Sequence, residues 1–247
     1  MSAAARPGPA PTPPAERATR SAVVTGASSG IGLAIAHDLV GDGWHVLGLS
    51  RSRGALSDAA TWVPCDLADG ISADEAVRVV RGTAAGGVDA IVHAAGLQYS
   101  AGVGELRPEQ GERMWAVHVR GAELVVGGLV GSLVAGGRVV LVGSRTMTGV
   151  PGKSQYAATK AALAAMARSW AAELAPRGIT VNVVAPGPTR TAMLDDPNRA
   201  SVPPVVPPLG RLVEPSEVAA LTRFLLEPTG AMVTGQTIVM CGGASLP

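Results

Sequence analysis

The chain has 247 residues, 47% of them apolar and only 16% charged, which supplies a large core and excludes disorder of the whole chain. Its 20 basic and 19 acidic residues leave a formal charge of +1, which offers no electrostatic footprint for nucleic acid or an anionic membrane. Two cysteines, Cys65 and Cys241, stand far apart without Cys-x-x-Cys spacing, so neither a disulfide framework nor a metal site is predicted, and a reducing cytoplasm fits. No apolar run reaches the roughly 18 residues of a membrane span, and the first twenty residues lack the apolar core of a signal peptide.

Residues 1–20, with Pro7, Pro9, Pro11, Pro13 and Pro14 among Ala and Arg, read as a disordered leader ahead of a single domain over residues 21–247. Apolar runs at 21–25, 44–49, 61–65, 88–92, 138–143, 179–184 and 236–240 alternate with helical stretches and predict seven strands. These runs are continuously apolar, so both faces of each strand need covering. That predicts an α/β fold, a doubly wound parallel sheet with helices on either side. The clearest helix spans 154–175, where Leu163, Met166, Trp170 and Leu174 recur at helical spacing until Pro176 stops the run.

Ser21–Val24 read as a strand, Thr25-Gly26-Ala27-Ser28-Ser29-Gly30-Ile31-Gly32 as a turn, and Leu33–Val40 as the first helix. A pyrophosphate needs backbone N–H donors at a helix N-terminus with no side chain in the way, and glycines at 26, 30 and 32 permit that approach. A tight glycine turn without ligand is the alternative reading of these residues alone. The spacing Gly-x-x-x-Gly-x-Gly, led by Thr25, resembles the short-chain dehydrogenase/reductase family, whose members are single-domain Rossmann-type oxidoreductases.

That resemblance implies cofactor contacts from Gly26, Ser28, Ser29, Gly30, Ile31 and Gly32. It also implies that Asp66, in Cys65-Asp66-Leu67, meets the adenine amine. His93-Ala94-Ala95-Gly96 stands where the family usually has Asn-Asn-Ala-Gly, so Ala94, Ala95 and Gly96 line the cofactor while the bracing of the sheet must differ. At the end of the second strand stand Ser50 and Arg51 rather than a carboxylate. A guanidinium suits a 2′-phosphate, so NADP(H) is expected, with NAD(H) as the alternative.

Tyr156 and Lys160 lie four apart near the start of the 154–175 helix and therefore share one face. The chain holds only two lysines, Lys153 and Lys160, so a chance Tyr-x-x-x-Lys is improbable. A phenol with a pKa near 10 is a poor acid–base catalyst at neutral pH, and a neighbouring ammonium lowers it. In the family this lysine also bonds the nicotinamide ribose. Ser144, twelve residues before Tyr156, resembles the family's catalytic serine, although the loop between the two is one residue shorter than usual. Pro186-Gly187-Pro188-Thr189-Arg190-Thr191 resembles the family segment in which Thr189 and Thr191 hold the nicotinamide carboxamide, and pro-S hydride transfer is implied. The likeness runs from residue 21 to residue 243.

Two positions depart from the family pattern. Val117 is followed by His118 where an asparagine supports a helix kink and a proton relay, and Cys241 replaces an aspartate; both read as structural replacements, with a part for the His118 imidazole in proton transfer as the alternative. Residues 192–208 read as a short substrate lid with a proline cluster (Pro203, Pro204, Pro207 and Pro208). Met193, Leu194, Val202, Val205 and Val206 are expected to face an apolar ligand, alongside Asp195, Asp196 and Arg199. The resemblance implies a homodimer or homotetramer through helices at 109–133 and 154–175. The expectation is NADPH-dependent reduction of a ketone, with Tyr156 as acid/base. An NAD-dependent alcohol dehydrogenase, or a dinucleotide-binding protein without turnover, is the alternative; the absence of a Gly-x-Ser-x-Gly elbow speaks against a serine hydrolase.

Overall fold

A computed structural model describes residues 19–197 and 202–246. The expected leader lies outside the described residues up to position 18. Arg20 packs 4.1 Å over the Trp44 ring and pairs with Asp42 and Glu227.

Seven parallel strands form one sheet: β1 (Ser21–Thr25), β2 (His45–Ser50), β3 (Thr61–Pro64), β4 (Val88–His93), β5 (Leu133–Val142), β6 (Thr180–Pro186) and β7 (Thr237–Met240). Their order is β3-β2-β1-β4-β5-β6-β7, so the winding reverses between β1 and β4 and opens a crevice at the carboxyl ends of those strands. Helices α1 (Gly30–Gly41) and α6 (Pro215–Leu226) cover one face, while α2 (Gly70–Thr83), α4 (Gly121–Leu129) and α5 (Ser154–Leu174) cover the other. The continuous apolar runs are thereby explained. Within β1, Ala22 and Val24 pack toward α1 and α6, Val23 packs the opposite way, and all three are fully buried.

Local chemistry sets the ends. Asp69 caps α2 by accepting from Ile71 N at 3.0 Å. Pro215 starts α6 inside a capping box formed by Glu214 and Glu217. Pro176 ends α5, leaving a 3₁₀ turn closed by Gly178 at φ +68°.

Two expected boundaries are corrected. The strand expected from 138 begins at Leu133, which pairs beside Val88 ahead of a register shift, while Gly136 bends the chain at φ +75°. The helical stretch expected over 109–133 ends at Leu129 because Ser132 N closes back on Leu129 O at 2.8 Å. That stretch is also not continuous: α3 (Pro108–Trp115) passes through a π-turn at Ala116–Arg120 before α4 begins.

Candidate active site

At the carboxyl end of β1 the chain turns through Thr25–Gly32 into α1. A Cβ on Gly26, which adopts φ +69°, would lie 2.8 Å from Ala95 Cα, and one on Gly32 would run into Gly26 O. Only glycine lets β1, β4 and α1 come this close. Ser29 precedes α1 in an extended conformation, its side chain makes no capping bond, and no acidic residue lies in the first turn. The first N–H groups of α1 are thus left without a side-chain cap, an arrangement that fits the pyrophosphate of a dinucleotide.

The bracing that asparagines supply in the resembling family is rebuilt around Thr25. Its hydroxyl accepts from Ala94 N and Ala95 N, both at 3.1 Å, which leaves its proton for His93 Nδ1 at 3.1 Å. His93 is fully buried. Burial, and then the charge of Lys160, pull its pKa down to about 3, so the ring is neutral. Among the described residues its Nε2 has no geometrically formed hydrogen bond, although backbone groups of Val117 and His118 lie near enough to favour a charge on the ring.

A cavity of about 350 Å³ runs along the crevice, and every catalytic and cofactor-contacting residue expected from sequence lines it. Gly26, Ser28, Ser29, Gly30, Ile31 and Gly32 form its floor. One end is lined by Ser50, Arg51, Asp66 and Leu67. There Ser50 Oγ donates to Ser52 O at 2.8 Å and Arg53 pairs with Asp58, whereas Arg51 makes no ion pair among the described residues. Asp66 accepts from Ala68 N at 2.9 Å, so it shapes a turn as well as lining the cavity. Ala94, Ala95 and Gly96 form the wall from β4.

Ser144, Tyr156 and Lys160 meet at the other end, all three buried. Lys160 Nζ donates to Val142 O at 2.9 Å and lies 5.9 Å from the centre of the Tyr156 ring. Burial pulls the Lys160 pKa down to about 7, so the amine titrates near neutrality instead of remaining a fixed ammonium. His118 lies edge-on to the Tyr156 ring with centroids 5.6 Å apart. Its Nε2 accepts from Leu97 N at 3.0 Å, which places the ring proton on Nδ1 for Thr159 Oγ1 at 2.8 Å, and that hydroxyl donates to Tyr156 O at 2.8 Å. With both nitrogens engaged, His118 clamps the loop after β4 to the first turns of α5.

Pro186, Gly187, Thr189 and Thr191 line the cavity beyond β6. A Cβ on Gly187 would lie 2.9 Å from Cys241 Cα, which accounts for the glycine at 187, and Cys241 Sγ lies 3.4 Å from Ser245 Oγ. Thr191 touches the glycine turn, its Cγ2 lying 3.3 Å from where a Gly30 Cβ would stand. Asn182 donates to Val233 O at 2.7 Å and accepts from Gln236 N at 3.1 Å, a structural tie between β6 and the approach to β7. The excursion after β6 returns at Val213, which pairs with Thr189 in an isolated bridge. Arg190 N donates to Val213 O and Val213 N to Pro188 O, both at 2.9 Å.

Of the apolar residues expected in the lid, Met193, Leu194, Val202 and Val205 line the cavity. Val206 does not line it, whereas Val205, although 73% exposed, does. Arg199 lies outside the described residues. The cavity also takes in Gln98, Arg113, Arg145, Thr146 and Lys153, which sequence reasoning missed; only Thr146, two residues after Ser144, carried a positional hint. Among the described residues no cluster of His, Cys, Asp or Glu could hold a metal, and no helix is long and apolar enough to cross a membrane.

A family model described as enoyl-(acyl carrier protein) reductase matches residues 26–245. The 3-oxoacyl-[acyl-carrier-protein] reductase FabG of Vibrio harveyi is 33% identical over 237 residues, covering 90% of this chain and 96% of that protein. A short-chain dehydrogenase from Burkholderia cenocepacia, solved in complex with NADP, superposes with a TM-score of 0.81 at 32% identity, covering 91% of this chain and 97% of the other. The 3-ketoacyl-(acyl-carrier-protein) reductase of Brucella melitensis, complexed with NADH, gives 0.81 at 28% identity over 92% and 98%. A doubly wound sheet, an uncapped glycine turn and likeness along nine-tenths of the sequence converge: the chain belongs to the short-chain dehydrogenase/reductase family of oxidoreductases.

Proposed function

We propose that this protein interconverts a ketone and a secondary alcohol with NADP(H), and that 3-oxoacyl thioesters are its substrate class. The observation that carries this reading is the burial of Ser144, Tyr156 and Lys160 at one end of a cavity whose floor is the uncapped start of α1. A bound nicotinamide supplies the hydride for the carbonyl carbon. Tyr156 gives its phenolic proton to the carbonyl oxygen, and Ser144 donates a hydrogen bond to that same oxygen as charge develops there. Lys160, when protonated, favours the phenolate that the reverse direction needs, and its pKa near 7 lets it take up or give back a proton at working pH. Met193, Leu194 and Val202 give the outer cavity an apolar wall suited to an acyl chain.

Support for the thioester class comes from the 3-oxoacyl reductases among the relatives, and the NADP-bound neighbour favours the phosphorylated cofactor. The test is a thioester panel read at the nicotinamide absorbance band. Acetoacetyl thioester should be reduced with NADPH, crotonyl thioester should not, and Tyr156→Phe should lose about 10²–10⁴-fold in kcat while still binding NADPH. Reduction of the crotonyl compound alone would transfer the reading to double-bond chemistry. Unimpaired carbonyl reduction by Tyr156→Phe removes the tyrosine from the mechanism.

A further inference from the structure

Ser144 stands two residues past the end of β5, and a 3₁₀ turn over Arg145–Thr148 begins on it. Its Oγ accepts two hydrogen bonds from a single residue: Thr146 N donates at 3.2 Å and Thr146 Oγ1 at 2.9 Å. Thr146 is 7% exposed and lines the same cavity. Arg145, between the two, sends its guanidinium away to Ala244 O at 3.0 Å, so the turn is tied from outside to the end of the chain. A hydroxyl has two acceptor sites and one proton. With both acceptor sites of Ser144 taken, its proton is the only hydrogen-bonding function left to offer.

We propose that Thr146 is the positioning residue that sets the polarity of Ser144, holding its hydroxyl as a donor aimed at the substrate carbonyl oxygen. This rests on the assignment of Ser144 as the group that binds that oxygen. Donation from the Thr146 hydroxyl also polarises the Ser144 O–H bond and strengthens the bond it makes next, because hydrogen bonds in a chain reinforce one another. Without the Thr146 hydroxyl, one acceptor site of Ser144 opens and the serine can turn its proton elsewhere in the buried turn. The opposite polarity, Ser144 donating to Thr146, has the opposite consequence: removing the threonine hydroxyl would then release the serine proton and leave turnover equal or faster. The short Ser144-to-Tyr156 loop gives the device its setting, since Ser144 caps the turn that immediately follows it.

Two single substitutions separate the hydroxyl from its packing. Thr146→Val keeps the branched shape and the backbone donor but deletes the hydroxyl; Thr146→Ser keeps the hydroxyl and deletes the methyl. With NADPH and acetoacetyl thioester, Thr146→Val should lower kcat about tenfold, the worth of one buried hydrogen bond. Thr146→Ser should recover to within about threefold of wild type, and the NADPH Kd, read by nicotinamide fluorescence, should stay within about twofold in both. Ser144→Ala should lose about 10²-fold. Adding Thr146→Val to Ser144→Ala should then cost nothing more, because the threonine acts only through the serine. A Thr146→Val enzyme as fast as wild type, a Thr146→Ser enzyme as slow as the valine variant, or multiplied losses in the double variant overturn the inference while a slow Ser144→Ala leaves the catalytic reading intact. A fully active Ser144→Ala overturns both.

Discussion

Arg51 follows the last residue of β2, at the end of the cavity opposite Tyr156, with its neighbour Arg53 already committed to Asp58. A guanidinium in that position gains bidentate bonds from a 2′-phosphate and little from a bare ribose. Replacing it by alanine should raise the KM for NADPH about tenfold and that for NADH less than about twofold. Equal changes for the two cofactors remove Arg51 from cofactor choice. At this scale Tyr156 and Lys160, proposed to carry the chemistry, were legible because their types are rare: with two lysines in the chain, a tyrosine and a lysine four apart stand out. Their supports were not. Thr25, Thr146 and Thr159 are hydroxyls among many, and each acquires its meaning only from a partner that the fold brings within about 3 Å. The same holds for His118, whose one proton and one lone pair are both spent on bracing.

Among the elements, the turn from β1 into α1 tolerates least change. A Cβ at position 32 meets Gly26 O and Thr25 O, backbone atoms that belong to the strand end and cannot swing aside. Gly32→Ala should therefore destabilise the protein by about 2 kcal/mol in urea unfolding and weaken NADPH binding at the same time. An unchanged midpoint would mean that α1 can slide along the sheet. Strands were readable because two covered faces force continuous apolar runs. The early start of β5 was hidden by Gly136 and Gly137, which break the apolar pattern where the strand kinks. The π-turn at Ala116–Arg120 has no sign in composition or periodicity; only the resemblance, which puts a helix kink at the His118 position, points to it. An extra residue in a helical turn changes hydrogen-bond spacing rather than residue type.

For the molecule as a whole, two neutral imidazoles sealed beside the sheet make folding sensitive to acid. Burial lowers the pKa of His93 to about 3 and holds His118 well below the ordinary value of 6.5. Below 6.5 the unfolded chain takes up protons that the folded one refuses, so the stability present at neutral pH is lost as pH falls toward the folded values. Unfolding free energy should drop between pH 7 and pH 5 by up to about 1.4 kcal/mol per pH unit for each histidine, and His93→Asn should reduce that slope. Glu217, held down to about 2 chiefly by its bond to Arg211, acts only below the ordinary carboxylate range, and Lys160, at about 7, adds to the slope only above about pH 6, so the lower half of this window reports the imidazoles. Equal stability at pH 7 and pH 5 would mean that the rings are reached by water.

The bridge between Thr189 and Val213 pinches the long excursion after β6 at its neck, beyond the last sheet residue of β6. The described part of the excursion is also anchored past β7, where Leu209 N donates to Gly242 O at 3.1 Å. A segment of another length grafted there would keep the scaffold only if it preserved that anchor and Thr191, which lies against the glycine turn.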